Sequence, residues 1–312
     1  MKNLVTGGAG FLGSHLIDNL INKNEKVICL DNYYTGTSKN IEKWLNHPNF
    51  KLIEHDITDP IQIETDKLWH LACPASPLHY QLDPIKTART SFLGTYNMLE
   101  LATRVHAKIL FASSSEIYGN AKVNPQYESY HGNVNPIGLR SCYDEGKRVG
   151  ETLCYFYKIK HNVDVSIFRP FNVFGPGMPR NDYRVFPRFF SSIKDGKPIT
   201  IFKNGKQTRT FCYVADAITA MFIVIIVGKT FVYNIGNNKP ELNMNKLHKC
   251  IQTALSKKIR SINISYPKNY PQVEPQRRCP DITKLSKEFG YKNKVNILDA
   301  IKRYFKWSSR HY

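Results

Sequence analysis

Short apolar runs rich in β-branched residues alternate along this chain with longer segments in which apolar residues recur every three or four positions. "KNLVTG" (2–7), "KVICLDN" (26–32), "FKLIEHDI" (50–57), "KLWHLAC" (67–73), "KILFASSS" (108–115) and "DVSIFRPFN" (164–172) read as strands. "FLGSHLIDNLINKN" (11–24), "ARTSFLGTYNMLELATRV" (88–105) and "DEGKRVGETLCYFYKIKH" (144–161) have helical spacing. Buried-type strands separated by amphipathic helices predict a parallel sheet covered on both faces, an α/β doubly wound fold of Rossmann type. After about residue 174 the alternation loosens and Pro and Gly become frequent ("FGPGMPRNDYRVFPRFF"). This shift predicts a smaller C-terminal substrate-binding lobe. "RTFCYVADAITAMFIVIIV" then reads as a return to the main domain. The expected division is 1–171 plus about 209–236 for the main domain, and about 172–208 plus 237–312 for the lobe.

Composition narrows the class. With 312 residues and 42% hydrophobic content, the chain can bury a sizeable core. The formal charge of +19 is compatible with nucleic acid, a membrane surface or an anionic substrate. The lysines are scattered, and "SKKIR" and "QRR" are the densest basic spots, so an anionic substrate is the expected partner and nucleic acid is not. Seven widely spaced cysteines without a CxxC pair argue against a zinc site or a disulfide framework and for a reducing compartment. "MKNLVTGG" runs straight into a strand, so no signal peptide is expected. "AMFIVIIVG" is too short to span a bilayer and reads as a buried helix end or a strand. The expectation is a cytoplasmic protein without membrane attachment and without a bound metal.

The first strand leads into "TGGAGFLGS", with Gly7, Gly10 and Gly13 at three-residue intervals before a helix. Glycines there allow a tight turn and close approach of a pyrophosphate, which the helix N-terminus attracts through free N–H groups and its dipole. Asp31 ends the next strand, where a carboxylate accepts hydrogen bonds from ribose hydroxyls and repels a 2′-phosphate. The expected cofactor is therefore NAD, held by the main domain. Asp56, after the third strand, has two readings: an adenine contact or a helix N-cap.

Tyr143 and Lys147 share a helix face at i and i+4. A nearby ammonium and a positive nicotinamide ring stabilise tyrosinate, so the phenol can fall from its ordinary value toward working pH and act as a base for a hydroxyl proton. Alone, the pair is equally the polar start of an exposed helix. Behind a dinucleotide turn, and with Ser114 at the end of a strand to hydrogen-bond the same substrate oxygen, it reads as a redox centre.

These residues resemble the extended short-chain dehydrogenase/reductase family. "HLACPASPLHYQLDPIKT", "SSSEIYG", "NPIGLRSCYDEGKR", "FNVFGPGM", "QTRTFCYVAD" and "PQRRCPDI" are similar to the UDP-glucuronate decarboxylase (UDP-xylose synthase) group within it. The resemblance covers essentially the whole chain. It implies oxidation of the sugar C4 hydroxyl with retained NAD, loss of CO₂ from the resulting β-keto acid, protonation at C5 and return of hydride to C4. In that scheme Tyr143 is the C4 acid/base, Lys147 lowers its pKa and holds the nicotinamide ribose, and Ser114 stands where the group usually has threonine. The implied cofactor contacts around Gly7, Gly10, Gly13, Asp31 and Asp56 are Phe11, Leu12, Asn32, Gly36, Ile57, Leu71 and Ala112, with Tyr143 and Lys147.

Glu116 has three readings: organising water, helping to open the ring, or satisfying loop amides. Ser115 stands where many related 4,6-dehydratases carry an acid, and cannot replace it. Arg278 matches the arginine that the group sets near the sugar carboxylate; it can orient the substrate or deliver a proton through water. Cys279 and Leu139 replace a usual lysine and proline, and neither change removes a reacting group. Asn172 and Arg209 resemble ligands of the UDP moiety. Arg184 and Val185 flank the nucleotide or serve packing, and the same choice stands for Tyr266 and Tyr270. The resemblance further implies a homodimer built as a four-helix contact from the helices at 88–105 and 144–161. Other readings are a sugar-nucleotide 4-epimerase or 4,6-dehydratase, a non-catalytic NAD-binding protein, and a nucleic-acid binder.

Overall fold

The computed structural model describes residues 1–266 and 275–312. In chain order the first elements are β1 (Lys2–Thr6), α1 (Phe11–Asn22), β2 (Lys26–Asp31), β3 (Phe50–Glu54), β4 (Lys67–His70), α2 (Pro77–Leu82), α3 (Pro84–Arg89), α4 (Thr95–Val105), β5 (Lys108–Ala112), α5 (Ser141–His161) and β6 (Val165–Pro170). Then follow β7 (Val173–Phe174), α6 (Val185–Lys194), β8 (Ile199–Phe202), β9 (Thr208–Arg209), β10 (Cys212–Tyr213), α7 (Val214–Val227) and β11 (Val232–Ile235). The chain ends with β12 (Leu242–Asn243), α8 (Met244–Leu255), β13 (Ser261–Ile264), β14 (Arg277–Arg278), α9 (Thr283–Phe289) and α10 (Ile297–His311).

Seven strands form one parallel sheet in the order β11-β6-β5-β4-β1-β2-β3. This is the doubly wound architecture that the alternating pattern predicts. Strand order reverses between β1 and β4, and in open parallel sheets ligands bind outside the carboxyl ends of the strands at such a reversal. Successive residues of each central strand enter different cores. Val5, Trp69 and Leu110 pack with α1 and α7, while Leu4, Leu68, Ile109 and Phe111 pack with α4 and α5. Burial on both faces explains why these strands read as continuous apolar runs.

The strands stop earlier than their apolar runs. The expected ends at 57, 73 and 115 become Glu54, His70 and Ala112. Beyond these points the chain leaves the ladder and lines the crevice. The helix expected over 88–105 is α3, a wide turn over Thr90–Gly94, and α4. At that turn a Cβ on Gly94 would lie 2.4 Å from Ile57, so the backbone passes close to a crevice residue. "AMFIVIIVG" is the C-terminal part of α7, the helical alternative.

Outside the main sheet, β9 lies between β12 and β14, β8 pairs with β13, and β7 pairs with β10. Phe174, Phe186, Phe190, Phe211 and Tyr304 pack edge-on or stacked where α6 and α10 meet these strands. Burial of each such ring contributes on the order of 2–3 kcal/mol, which fixes α6 and therefore the loop before it.

Candidate active site

One cavity of about 350 Å³ runs over the carboxyl ends of β1, β2, β4 and β5 to the start of α6 and to β14. Its first end is the glycine turn. Gly7 has φ +68°, the left-handed region, and a Cβ on Gly13 would lie 2.2 Å from the Gly7 carbonyl oxygen. The helix α1 begins after Gly10, which has no side chain to cap it, so its first N–H groups face the cavity. The Asp31 carboxylate accepts from Ala9 N at 2.9 Å and Tyr33 N at 2.8 Å and thereby holds the turn. Burial pushes its pKa up, against these backbone hydrogen bonds. A Cβ on Gly36 would lie 3.0 Å from the Asp31 Oδ1. Space that only glycines leave open, an uncapped helix start and a carboxylate at the end of β2 fit a dinucleotide.

Phe11, Leu12, Asn32, Ile57 and Leu71 line the same end. Asp56 does too, but its carboxylate is taken: Lys86 Nζ is 2.6 Å away, Asn32 donates at 2.8 Å, and Thr58 donates through N and Oγ1. Burial alone would raise the Asp56 pKa; the Lys86 and Thr58 hydrogen bonds and the Lys86 charge outweigh it and hold it below the carboxylate range. The residue closes a local turn instead of capping a helix. Ala112 and Lys147 are outside the lining, because Lys147 Nζ donates to the Ala112 carbonyl at 2.8 Å and both are buried.

The centre of the cavity holds Ser114, Ser115, Glu116 and Tyr143. Ser114 Oγ accepts from Glu116 N at 3.1 Å, which ends β5 in a tight turn and aims Glu116 back at α5. The Tyr143 phenol is hydrogen-bonded to Ser114, and its ring stacks on Tyr80 at 5.1 Å. Lys147 alone does not give Tyr143 the lowered pKa expected from the i, i+4 spacing. Burial raises it strongly, Cys73, Glu116 and Asp144 add to the rise, and only the Ser114 hydrogen bond opposes them. The Lys147 ammonium is 5.8 Å from the ring centroid and bonded elsewhere, so it does not offset the lost hydration of a phenolate.

Arg278 also meets Glu116. Its Nη1 and Nη2 donate to the two Glu116 carboxylate oxygens at 2.5 and 2.6 Å, a bidentate pair. Arg140, immediately before α5, donates to Glu116 Oε2 as well, and its Nε reaches Asp144 Oδ2 at 3.3 Å. Burial alone would raise the Glu116 pKa; the charges of Arg140 and then Arg278 outweigh it and hold it at about 2. Asp144 is buried with Oδ1 unpartnered, and burial, then repulsion by Glu116, pushes it up to about 7. The reading of Glu116 as an acceptor that satisfies loop amides does not describe this contact set. Arg140, Asp144 and Tyr80 escaped the sequence reading. Only the i, i+4 spacing of Arg140 and Asp144 in "RSCYDEGKR" signals their pairing, and nothing in sequence ties either to Glu116.

The far end is built by Asn172, Arg184, Val185, Arg209 and Arg278. Asn172 has φ +40° and donates from Nδ2 to the Thr210 carbonyl at 2.9 Å. Arg184 is bound through N, Nε and Nη2 to the buried Asp182 carboxylate, which Ser76 also reaches. Val185 opens α6 and packs on the core while lining the cavity. Arg209 is buried and donates to the Thr208, Pro275 and Gln276 carbonyls, so its fork secures the chain that leads into β14. Tyr266 packs on Phe202, 5.1 Å between centroids. Tyr270 lies outside the described residues.

Residues 3–236 match the profile of the NAD dependent epimerase/dehydratase family. The chain is 46% identical over 302 residues to UDP-glucuronic acid decarboxylase 5 of Arabidopsis thaliana, covering 96% of this chain and 87% of the relative. It is 43% identical over 314 residues to UDP-glucuronic acid decarboxylase 1 of Xenopus tropicalis, covering 99% and 73%. Its structure is similar to that of a UDP-glucuronic acid 4-epimerase from Bacillus cereus in complex with UDP-glucuronic acid and NAD, with TM-score 0.86 and 26% identity over 100% of both chains.

Proposed function

This chain belongs to the NAD dependent epimerase/dehydratase family, and we propose that it converts UDP-glucuronate to UDP-xylose and CO₂. The observation that carries this reading is Glu116, held ionised by arginines beside the Ser114–Tyr143 pair and preceded by the non-acidic Ser115. The 43–46% identity to proteins named as UDP-glucuronic acid decarboxylases supports it.

Bound NAD supplies the hydride acceptor and donor for C4. The first turn of α1 with Gly7, Gly10 and Gly13 would hold its pyrophosphate and Asp31 its ribose. The positive charge of the nicotinamide would favour loss of the Tyr143 phenolic proton to solvent, and the phenolate would take the proton of the C4 hydroxyl as hydride leaves C4, with Ser114 on the same oxygen. Lys147 stiffens this part of α5 against the end of β5 and puts positive charge on the Tyr143 ring face. The C4 ketone is β to the C5 carboxylate, so the C5–carboxyl bond breaks, CO₂ leaves, and its electron pair becomes a C4–C5 enolate. C5 then takes a proton, hydride returns to C4, and Tyr143 returns its proton to the C4 oxygen. Arg278 neutralises the sugar carboxylate in the ground state, and Glu116 orders the water that protonates C5. Asn172, Arg184, Val185 and the uncapped start of α6 receive the UDP moiety; Arg209 acts by securing the chain before β14.

Ser115 cannot serve as the acid that expels a C6 hydroxyl, which disfavours 4,6-dehydration. A 4-epimerase is the second reading, because the Bacillus cereus neighbour binds UDP-glucuronic acid. The protein incubated with NAD and UDP-glucuronate should give CO₂ and UDP-xylose in equal amounts without net NADH. A UDP-hexuronate isomer without CO₂ release would transfer the assignment to epimerisation.

The same reading divides the chain into an NAD-binding domain over 1–171 plus about 209–236, and a sugar-nucleotide lobe over about 172–208 plus 237–312. It includes a homodimer through α4 and α5. A reducing cytoplasmic location accords with seven free cysteines. Among the described residues no helix is long and apolar enough to cross a membrane.

A further inference from the structure

Two guanidinium groups converge on one carboxylate in this site, and their surroundings differ. Arg278 comes from the two-residue strand β14, and among the described residues Glu116 is the only hydrogen-bond or ion-pair partner of its guanidinium. Arg140 is pinned on three sides: it donates to Glu116, it reaches Asp144 at 3.3 Å, and it lies 5.9 Å above the centroid of Tyr80. Tyr80 in turn stacks on Tyr143. Moving Arg140 would break three contacts and unsettle the ring behind the phenol. Moving Arg278 breaks one bidentate pair.

The local charge count gives this asymmetry a use. Arg140 and Arg278 face one ionised carboxylate, Glu116, while the buried Asp144 carries an unpartnered Oδ1 that favours its neutral form. The cluster therefore holds positive charge in excess of what Glu116 cancels. An incoming carboxylate can be neutralised by one arginine only if the other keeps Glu116 company, because a buried charge left without its partner costs several kcal/mol.

Resting on the decarboxylase reading, the geometry points to Arg140 as a positioning residue: it is the resident counter-ion of Glu116, and it frees Arg278 to exchange Glu116 for the carboxylate of the sugar. Arg140 thus acts through Glu116 and sets the preference for a uronate over a neutral hexose. The groups that face Glu116 in this exchange are Arg140, Asp144 and Tyr143 from α5 and its lead-in, Tyr80 from α2, Arg209 from β9 and Arg278 from β14.

The test is calorimetric binding of UDP-glucuronate and UDP-glucose to the NAD-loaded protein in a Tyr143→Phe background that blocks turnover. Titrations in two buffers of different ionisation enthalpy count protons taken up. In the parent, UDP-glucuronate should bind more tightly than UDP-glucose with little proton uptake. Adding Arg140→Met should weaken UDP-glucuronate by roughly tenfold or more, the scale of a lost charged hydrogen bond, and leave UDP-glucose within about twofold. Binding of UDP-glucuronate should now take up close to one proton, as Glu116 loses both cations and protonates. Arg140→Lys should restore part of the preference. An unchanged affinity ratio without proton uptake in Arg140→Met overturns the inference alone. If Arg140→Met does not bind UDP-glucose, Arg140→Gln carries the same expectation and the same refutation. A parent protein without preference for UDP-glucuronate defeats the decarboxylase reading, and the inference with it.

Discussion

At the scale of single residues the site is a set of opposed carboxyl environments. Glu116 and Asp144 both touch Arg140, yet one is held at about 2 and the other pushed up to about 7. Pairs of acids with separated pKa values mark functional sites, because one stays charged while the other can carry a proton. The sign for stability follows from linkage. Asp144 has a folded pKa above its value of 3.8 in the unfolded chain, so the native state alone holds the proton between about pH 4 and 7, and stability is lost as pH rises through that window. Glu116 runs the other way, and its contribution is lost only as pH falls below about 4 toward 2. Asp144→Asn removes the first effect. Denaturation midpoints should therefore show the variant gaining on the parent between pH 5 and pH 7.5, by a few kcal/mol at most; an offset that is equal at both pH values would refute the assignment. Ser114, Glu116, Tyr143 and Arg278 are each named by motif and chemistry in the sequence, and all four line one cavity. Their commitment to one another was not legible there. The Arg278–Glu116 pair joins β14 to the turn after β5, and such a contact exists only once the sheet has folded.

At the scale of elements the reading held where periodicity is strong and slipped where the chain turns toward the ligand. α1, α5 and the interior of each central strand follow from their apolar spacing. The ends of β3, β4 and β5 do not, because residues such as His55, Leu71 and Ser114 remain compatible with a strand while tertiary geometry pulls them into the crevice. The wide turn at Thr90–Gly94 was hidden for a similar reason: it lies where Gly94 passes close to Ile57, two segments far apart in sequence. The glycine turn at α1 was legible because steric exclusion there acts on neighbouring residues. It also yields a test in which two effects compete. Gly13→Ala gains about 1 kcal/mol of helix propensity. The added methyl would lie 2.2 Å from the Gly7 carbonyl oxygen, a backbone atom that cannot rotate away, and overpacking of this kind costs about 1–3 kcal/mol. Sterics win, so the variant should melt lower than the parent and bind NAD at least tenfold more weakly, as fluorescence titration would register. A variant of raised melting temperature and unchanged NAD affinity would show that the turn has room to spare.

At the scale of the whole molecule the unanswered surface is the outer side of α4 and α5. Phe92 and Tyr96 beside α4 are 44% and 41% exposed, and Tyr155, Phe156 and Ile159 on α5 are 50%, 47% and 56% exposed. The two helices touch through Tyr96 and Tyr157, and on α5 the rings of Tyr155 and Phe156 pack edge-on. Leu153 packs inward on the cluster beneath α4 and α5, and the exposed i, i+3 pair Phe156 and Ile159 is left to carry a contact. The same helix presents Tyr143 to the cavity and Gly150 to Phe111, where a Cβ would lie 2.5 Å from the ring. α5 is thus fixed on its inner side by the sheet and the site, and association can recruit its outer side without disturbing either. In a two-fold dimer each residue of the contact is used twice, so one buried charge becomes two. Phe156→Glu is therefore expected to convert a species of about twice the 36.0 kDa chain mass into a monomer in light scattering, with the folded spectrum retained. Because α5 is held from its inner side, turnover of UDP-glucuronate by the monomer should stay close to the parent's. A parent that is already monomeric at assay concentration would overturn the dimer and leave the chemistry of the single chain standing.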